Sequence, residues 1–256
     1  MMRAPSFAYR APRSIAEVTE ILAGEGPRAR LLAGGTDLVP NLKRRQQVPA
    51  TLVALRRVEE LRAVTSSDGF LNLGAGLTLS QVVGREDLSP GQRALRVAAS
   101  KVATPHIRNM GTIGGNLCLD TRCNYYNQNY EWRRAIDFCK KAPGPAGTAQ
   151  SEVTSGTCWV APSSPRCWAV SSTDTAPALV ALGAEVTLVS TSGERRIPLH
   201  ELYFDDGMAY LTKRPDELLS AVHVPILGEG WRSTYWKLRR RGSFDFPVLG
   251  VAAALK

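Results

Sequence analysis

With 256 residues, 44% of them hydrophobic and 21% charged, the chain can bury a core of one or two domains and is not globally disordered. No apolar run reaches the roughly 20 residues of a membrane-spanning helix, and the opening MMRAPSFAYRAPRS lacks the apolar stretch of a secretory signal, so a cytoplasmic location is expected. The net charge of +9 would suit nucleic acid, but the arginines are scattered, with no aromatic–basic interleaving and no reader helix. Solvated surface, a diphosphate site or a face for acidic partners would use the same charge.

In chain order, residues 7–9 read as a short extended start. Ser14 and Glu17 form a capping-box pattern, Ile15, Val18, Ile21 and Leu22 then fall on one helical face, and Gly24 fits the stop. Residues 30–33 and 51–55 read as strands and residues 36–45 as a short helix. The result is a small β-α-β unit over residues 1–57 with a parallel sheet. Residues 71–73 read as a strand running into Gly74-Ala75-Gly76. Ser89, Pro90 and Gln92 start a helix that continues through Leu95, Ala98 and Val102. Later come a short helix over residues 176–182, a hairpin of residues 185–190 and 195–199, and strands at 218–224 and 233–238. The second unit spans residues 58–225, and residues 226–256 begin a further region that stops directly after an apolar run at 248–255. An uncovered edge there would invite strand pairing.

Two glycine turns stand out. Leu32, Ala33, Gly34, Gly35, Thr36, Asp37 and Leu38 lie where a strand gives way to a helix. Glycines there let backbone N–H groups approach phosphate oxygens, and Thr36 adds a hydroxyl. The Asp37 carboxylate would repel phosphate, and capping the helix is its expected task. An ordinary strand–helix turn is the bland alternative. The second turn, Thr112-Ile113-Gly114-Gly115-Asn116, offers another close backbone approach, a hydroxyl and an amide. A dinucleotide, long and with two ring systems, suits two cradles better than one. Neither G-x-G-x-x-G nor G-x-x-x-x-G-K-[ST] occurs.

Residues 118–168 differ from the rest. They hold all five cysteines, three of the five tryptophans and a Gly/Pro/Ser/Thr-rich stretch at 143–156, the character of an insertion. Clustered cysteines in a chain without an export signal are more often metal ligands or redox groups than disulfides. Cys123, Cys139, Cys158 and Cys167 are separated by 15, 18 and 8 residues, which matches neither a compact ferredoxin pattern nor a zinc ribbon. By spacing alone an iron–sulfur cluster, a zinc ion and inert thiols all remain open. Trp132, Trp159 and Trp168 either shield such a centre or pack the insertion. His106, His200 and His223 are scattered and nominate no site.

The pair LLAGGTDL and TIGGNL, with SSTDTAPALVALGAEVTL and KLRRRGSFDF, resembles the FAD-binding subunits of the xanthine dehydrogenase-type molybdenum hydroxylases over essentially the whole chain. The resemblance implies an α+β, two-part FAD-binding fold: a small parallel β-α-β unit and a larger α+β unit with flavin between them. Family members continue into a further small C-terminal domain. It also implies that residues 32–38 hold the diphosphate, that Thr112, Gly115 and Asn116 continue the site, and that Asp174 and Lys237 contact the flavin. Read from the residues alone, Asp174 fits an N-cap equally well and Lys237 fits plain surface.

NLCLDTRCNYYNQ, DFC, CWVAP and RCWA resemble the cysteine-bearing insert of 4-hydroxybenzoyl-CoA reductase flavin subunits. That likeness implies a [4Fe–4S] cluster on Cys123, Cys139, Cys158 and Cys167, with Cys118 a buried structural thiol beside the flavin turn. The expected function is electron transfer between that cluster, FAD, and [2Fe–2S] and molybdenum centres in a small and a large partner subunit. An aromatic acyl-CoA is the expected substrate of the complex, and ferredoxin or another carrier the expected electron partner. The rival reading is a hydroxylase flavin subunit that hands electrons to NAD or a quinone.

Overall fold

The computed structural model describes residues 3–142, 156–242 and 244–256; most of the low-complexity stretch at 143–156 lies outside them. The first unit contains β1 (Ala8–Arg10), α1 (Ile15–Glu25), β2 (Ala29–Leu32), α2 (Leu38–Lys43) and β3 (Thr51–Ala54). Its strands form a parallel sheet in the order β1-β3-β2, with α1 and α2 as the crossover connections. Val18 and Leu22 of α1 bury against Ala29 and Val53, and the same cluster takes in Leu61 and Leu218 from beyond the unit. The α1 cap is half of the expected box. Ser14 Oγ accepts from Glu17 N, but the Glu17 carboxylate accepts from Arg13 N at 2.8 Å. The helix also runs past Gly24 to Gly26, whose φ of 56° is the left-handed geometry a helix end favours.

The second unit is built on a five-stranded antiparallel sheet, β4-β5-β8-β6-β7. Its strands are β4 (Val64–Ser67), β5 (Phe70–Gly74), β6 (Glu185–Ser190), β7 (Gly193–Pro198) and β8 (Leu218–Pro225). Strand β4 has no forecast in the sequence reading, although Asp68-Gly69, both at positive φ, is the turn that joins it to β5. One face of the sheet carries α3 (Leu79–Val83), α4 (Arg93–Lys101), α6 (Ile113–Leu117) and α8 (Thr175–Ala181), with Leu73, Leu95, Ile113, Leu179, Val186 and Val222 at the centre of the core. Two further short helices are α5 (Pro105–Arg108) and α7 (Tyr130–Ala135). The second glycine turn is therefore the helix α6, entered through the Thr112 cap.

Strands β9 (Arg232–Leu238) and β10 (Leu249–Leu255) pair antiparallel as a separate ribbon. Tyr235 of β9 buries against Ala94, Ala98 and Ala178, which fixes the ribbon over α4 and α8.

Glu217, at the start of β8, is 1% exposed and takes bonds from Arg195 of β7 at 2.7 and 3.0 Å and from the Arg214 amide at 2.7 Å. Burial opposes its charge, but the arginine bonds outweigh burial and hold the carboxyl below its usual range. A depressed carboxyl contributes stability above its unfolded pKa and loses it as pH falls through the folded value. Stability is therefore expected to drop as pH falls below about 4. Glu217→Gln should cost about 1–3 kcal/mol at neutral pH and flatten that part of the acid profile in thermal unfolding.

Candidate functional site

The first glycine turn leaves β2 and enters α2. A Cβ on Gly34 would overlap the Met110 carbonyl, and Gly35 has φ 73°, so both positions require glycine. The amides of residues 34–37 have no hydrogen-bond partner among the described residues. They are free to donate to an anion. Asp37 is not a cap: its carboxylate pairs with Arg122 and accepts from Asn41 Nδ2 at 3.2 Å. Burial still pushes that carboxyl above its ordinary value.

The second turn reaches the first. A Cβ on Gly115 would come 3.8 Å from Ala33 Cβ, and one on Gly111 would come 3.4 Å from Thr36 Oγ1. Its amides, however, are already used. Ile113 donates to Leu77 O, Gly114 to Ala75 O, Gly115 to Thr112 Oγ1 and Asn116 to Thr112 O, all at 2.9–3.0 Å. What the turn offers instead is bare glycine surface and the Asn116 side chain. Asn116 Oδ1 accepts from Thr173 Oγ1 at 2.7 Å, Thr175 Oγ1 at 2.6 Å and Thr175 N at 3.3 Å, which orients the amide and leaves its NH₂ without a described partner.

Asp174 and Lys237 form a buried ion pair at 2.8 Å, with side chains 3% and 2% exposed. Tyr235 Oη donates to Asp174 at 2.7 Å, and Lys237 also donates to Lys101 O at 3.1 Å. Asp174 makes no cap bond to α8, and Lys237 is not surface; the N-cap and surface readings both fall. Burial raises the Asp174 carboxyl, while Lys237 and Tyr235 hold it down.

Both turns, Asp174 and Lys237 line one cavity of about 1110 Å³. Its wall also includes Ser172, whose buried hydroxyl has no partner, and Lys213, whose ammonium burial pushes down. Neither stood out in the sequence, because nothing local marks a serine or lysine that long-range packing brings to a cavity. The unit interface, the free amides at 34–37 and the unpaired donors fit an elongated diphosphate-bearing cofactor.

Cys123, Cys139, Cys158 and Cys167 lie outside the lining of this cavity. Cys139 packs with Tyr126 and Ala142, and Cys123 packs against that group. Burial raises the Cys123 thiol, and nearby Cys139 and Cys158 raise it further; Cys167 is raised by burial and by Cys158 and Cys123. Lys140 N donates to Thr157 O beside Cys158 and Arg122 bridges Val170 near Cys167, so the segments that carry the four predicted ligands lie together, and all five cysteines are free thiols. Tyr126 N donates to Cys123 Sγ at 3.3 Å and Ala169 N to Cys167 Sγ at 3.4 Å. Among the described residues, no three His, Cys, Asp or Glu side chains are arranged to hold a metal ion. Cys118 is apart from the four, in the cavity wall. Trp132, Trp159 and Trp168 are 39%, 37% and 45% exposed, so they cover the segment from outside. His223 belongs to the sheet, bonded to Thr187 at 2.7 Å and Asn72 at 2.6 Å.

A polar network separates the cavity from the cysteines. Asp120 accepts from Tyr126 Oη at 2.6 Å and Gln47 Nε2 at 3.0 Å and pairs with Lys141 at 2.7 Å, both ion-pair side chains being 7% exposed. Burial opposes the Asp120 charge, yet these partners hold its carboxyl below the usual range.

Comparison with known proteins places this architecture. A family model, the FAD-binding domain in molybdopterin dehydrogenase, matches residues 5–227. The 6-hydroxypseudooxynicotine dehydrogenase complex subunit alpha of Paenarthrobacter nicotinovorans is 29% identical over 98% of this chain and 68% of its own length. The carbon monoxide dehydrogenase medium chain of Afipia carboxidovorans is 28% identical over 98% of this chain and 69% of its own. Among solved structures, quinoline 2-oxidoreductase from Pseudomonas putida 86 superposes with a TM-score of 0.72 at 26% identity, covering 99% of this chain and 70% of that one. No described helix is long and apolar enough to cross a membrane. The chain thus belongs to the FAD-binding-domain family of molybdopterin dehydrogenases, as the flavin subunit of a molybdenum-dependent oxidoreductase.

Proposed function

We propose that the chain holds FAD in the cavity between its two units and a [4Fe–4S] cluster on Cys123, Cys139, Cys158 and Cys167. Its task is electron transfer between that cluster, FAD, and [2Fe–2S] and molybdenum centres of a small and a large partner subunit. The observation that supports the cluster is that chain contacts draw together the segments carrying four cysteines spaced by 15, 18 and 8 residues: Cys123 packs on the Cys139 group, Lys140 N donates to Thr157 O at 3.2 Å beside Cys158, and Arg122 bridges Val170 near Cys167. A zinc ion would draw four sulfurs to about 3.8 Å of one another; a cube of iron and sulfide takes ligands standing further apart.

When bound, FAD exchanges electrons singly or in pairs, which suits a junction between one-electron centres. The free amides at 34–37 would bind the diphosphate, and Gly34 and Gly35 let it approach. Asn116, held by Thr173 and Thr175, presents its NH₂ as a further donor. The Asp174–Lys237 pair places a cation at the cavity wall without leaving a buried charge unpaired. The amides of Tyr126 and Ala169 donate to the Cys123 and Cys167 sulfurs, which would favour the reduced form of a cluster held there.

The insert's resemblance to that of 4-hydroxybenzoyl-CoA reductase supports an aromatic acyl-CoA as the substrate reduced in the partner. The second reading, electrons passed outward to NAD or a quinone, draws on the dehydrogenase relatives. Anaerobic isolation followed by iron, sulfide and flavin analysis decides between them. About four irons and four sulfides per chain beyond those of the [2Fe–2S] subunit, beside one FAD, are expected; flavin with no such excess leaves the outward-transfer reading.

A further inference from the structure

We propose that the buried Lys141–Asp120 ion pair sets the reduction potentials of both redox sites in this chain, with Lys141 raising them and Asp120 lowering the flavin's. The inference rests on the reading that the cavity holds FAD and the four cysteines hold a cluster.

Lys141 stands between the two. It lines the cavity, as do Asp120 and Tyr126. On the other side its Nζ donates to the Gly207 carbonyl at 2.6 Å, and Gly207 is packed so tightly on Cys167 that a Cβ there would lie 2.8 Å from the sulfur. Cys167 feels the Lys141 charge directly, as an attraction that favours its thiolate. The ammonium lies 5.0 Å from the Tyr126 ring centroid and 5.1 Å from that of Tyr210, and Thr121 Oγ1 also accepts from it. The charged and titratable groups around it are Asp120, Tyr126 and Tyr210, with Asp37 and Arg122 behind them. Among the described residues, only Asp120 neutralises it by direct contact.

A fixed charge in such surroundings is poorly screened. Adding an electron to either site makes it more negative, so a nearby cation favours the reduced form and a nearby anion the oxidised form. Both groups sit in the cavity wall, so the flavin should respond to each with opposite sign. Lys141 is a positioning residue here and touches no reacting atom.

The test is an anaerobic redox titration of the intact complex, with flavin followed by visible absorption and the cluster by electron paramagnetic resonance. Four forms are compared: the natural chain, Lys141→Met, Asp120→Asn, and the double variant, which leaves no buried charge unpaired. Lys141→Met should lower both potentials, shifting the reduced-to-oxidised ratio at fixed potential by about tenfold, or about 59 mV for a one-electron couple. Asp120→Asn should shift the flavin the other way by a similar factor, and the double variant should return it to within about threefold of the natural chain. Lys141→Arg should restore both potentials. A merely structural pair would move both single variants in the same direction, or change cofactor retention with no change of potential, and either result overturns the proposal. If the natural complex contains no iron or sulfide beyond that of its [2Fe–2S] subunit, the cluster reading fails, and flavin potentials that ignore both substitutions then overturn the inference separately.

Discussion

Gly34→Ala is expected to weaken FAD binding by about 10- to 100-fold. The added methyl would fall on the Met110 carbonyl, and backbone at that place cannot swing aside as the tip of a long side chain can. Forcing a methyl group into packed structure costs about 1–3 kcal/mol, and each 1.4 kcal/mol of misplacement at the site is tenfold in affinity. The strain is local to the site on both sides. Gly34 opens the run of free amides, and Met110 leads into Thr112 and the second turn. Gly24→Ala is the control, because a Cβ there meets nothing within 4 Å and the position lies inside α1. It should bind flavin normally and gain about 0.5–1 kcal/mol of stability. Fluorescence titration of the flavin-free protein with FAD, beside circular dichroism to verify the fold, reads both outcomes. A Gly34→Ala protein that keeps natural affinity would show that the first turn does not carry the diphosphate.

Cys158→Ala is expected to take iron from about four per chain to near zero while leaving flavin in place. Cys158 is buried and is one of the four proposed ligands, so its removal leaves three. Three thiolates hold a cube far less well than four. Cys118→Ala is the informative contrast. Cys118 lies in the cavity wall against the main core, where burial raises its thiol, and it should keep its iron. Iron and sulfide analysis with the visible spectrum checks both variants. Iron retained without Cys158 and lost without Cys118 would reassign the ligand set.

Local chemistry made much of the fold legible. The apolar spacing of α1, the Ser89-Pro90 helix start before α4 and the Ser192-Gly193 turn between β6 and β7 are each written within a few residues, and each forms near its expected place. Where the local reading slipped, a competing contact had intervened. Glu17 found the Arg13 amide, Asp37 found Arg122, and the T-I-G-G-N turn closed into a helix whose amides were consumed by Ala75 and Leu77. The asparagine there still faces the cavity, but as a side-chain donor.

By itself the sequence determined the α+β plan, the two glycine turns and the set of cysteines, because periodicity, caps and close backbone approach depend on near neighbours. Only the tertiary structure decided that Asp174 would meet Lys237 across 63 residues, that Ser172 and Lys213 would enter the cavity wall, and that Lys141 and Asp120 would stand between cavity and cysteines. Ion pairs and cavity walls join residues from distant parts of the chain, and their strength comes from burial, which a linear pattern does not specify.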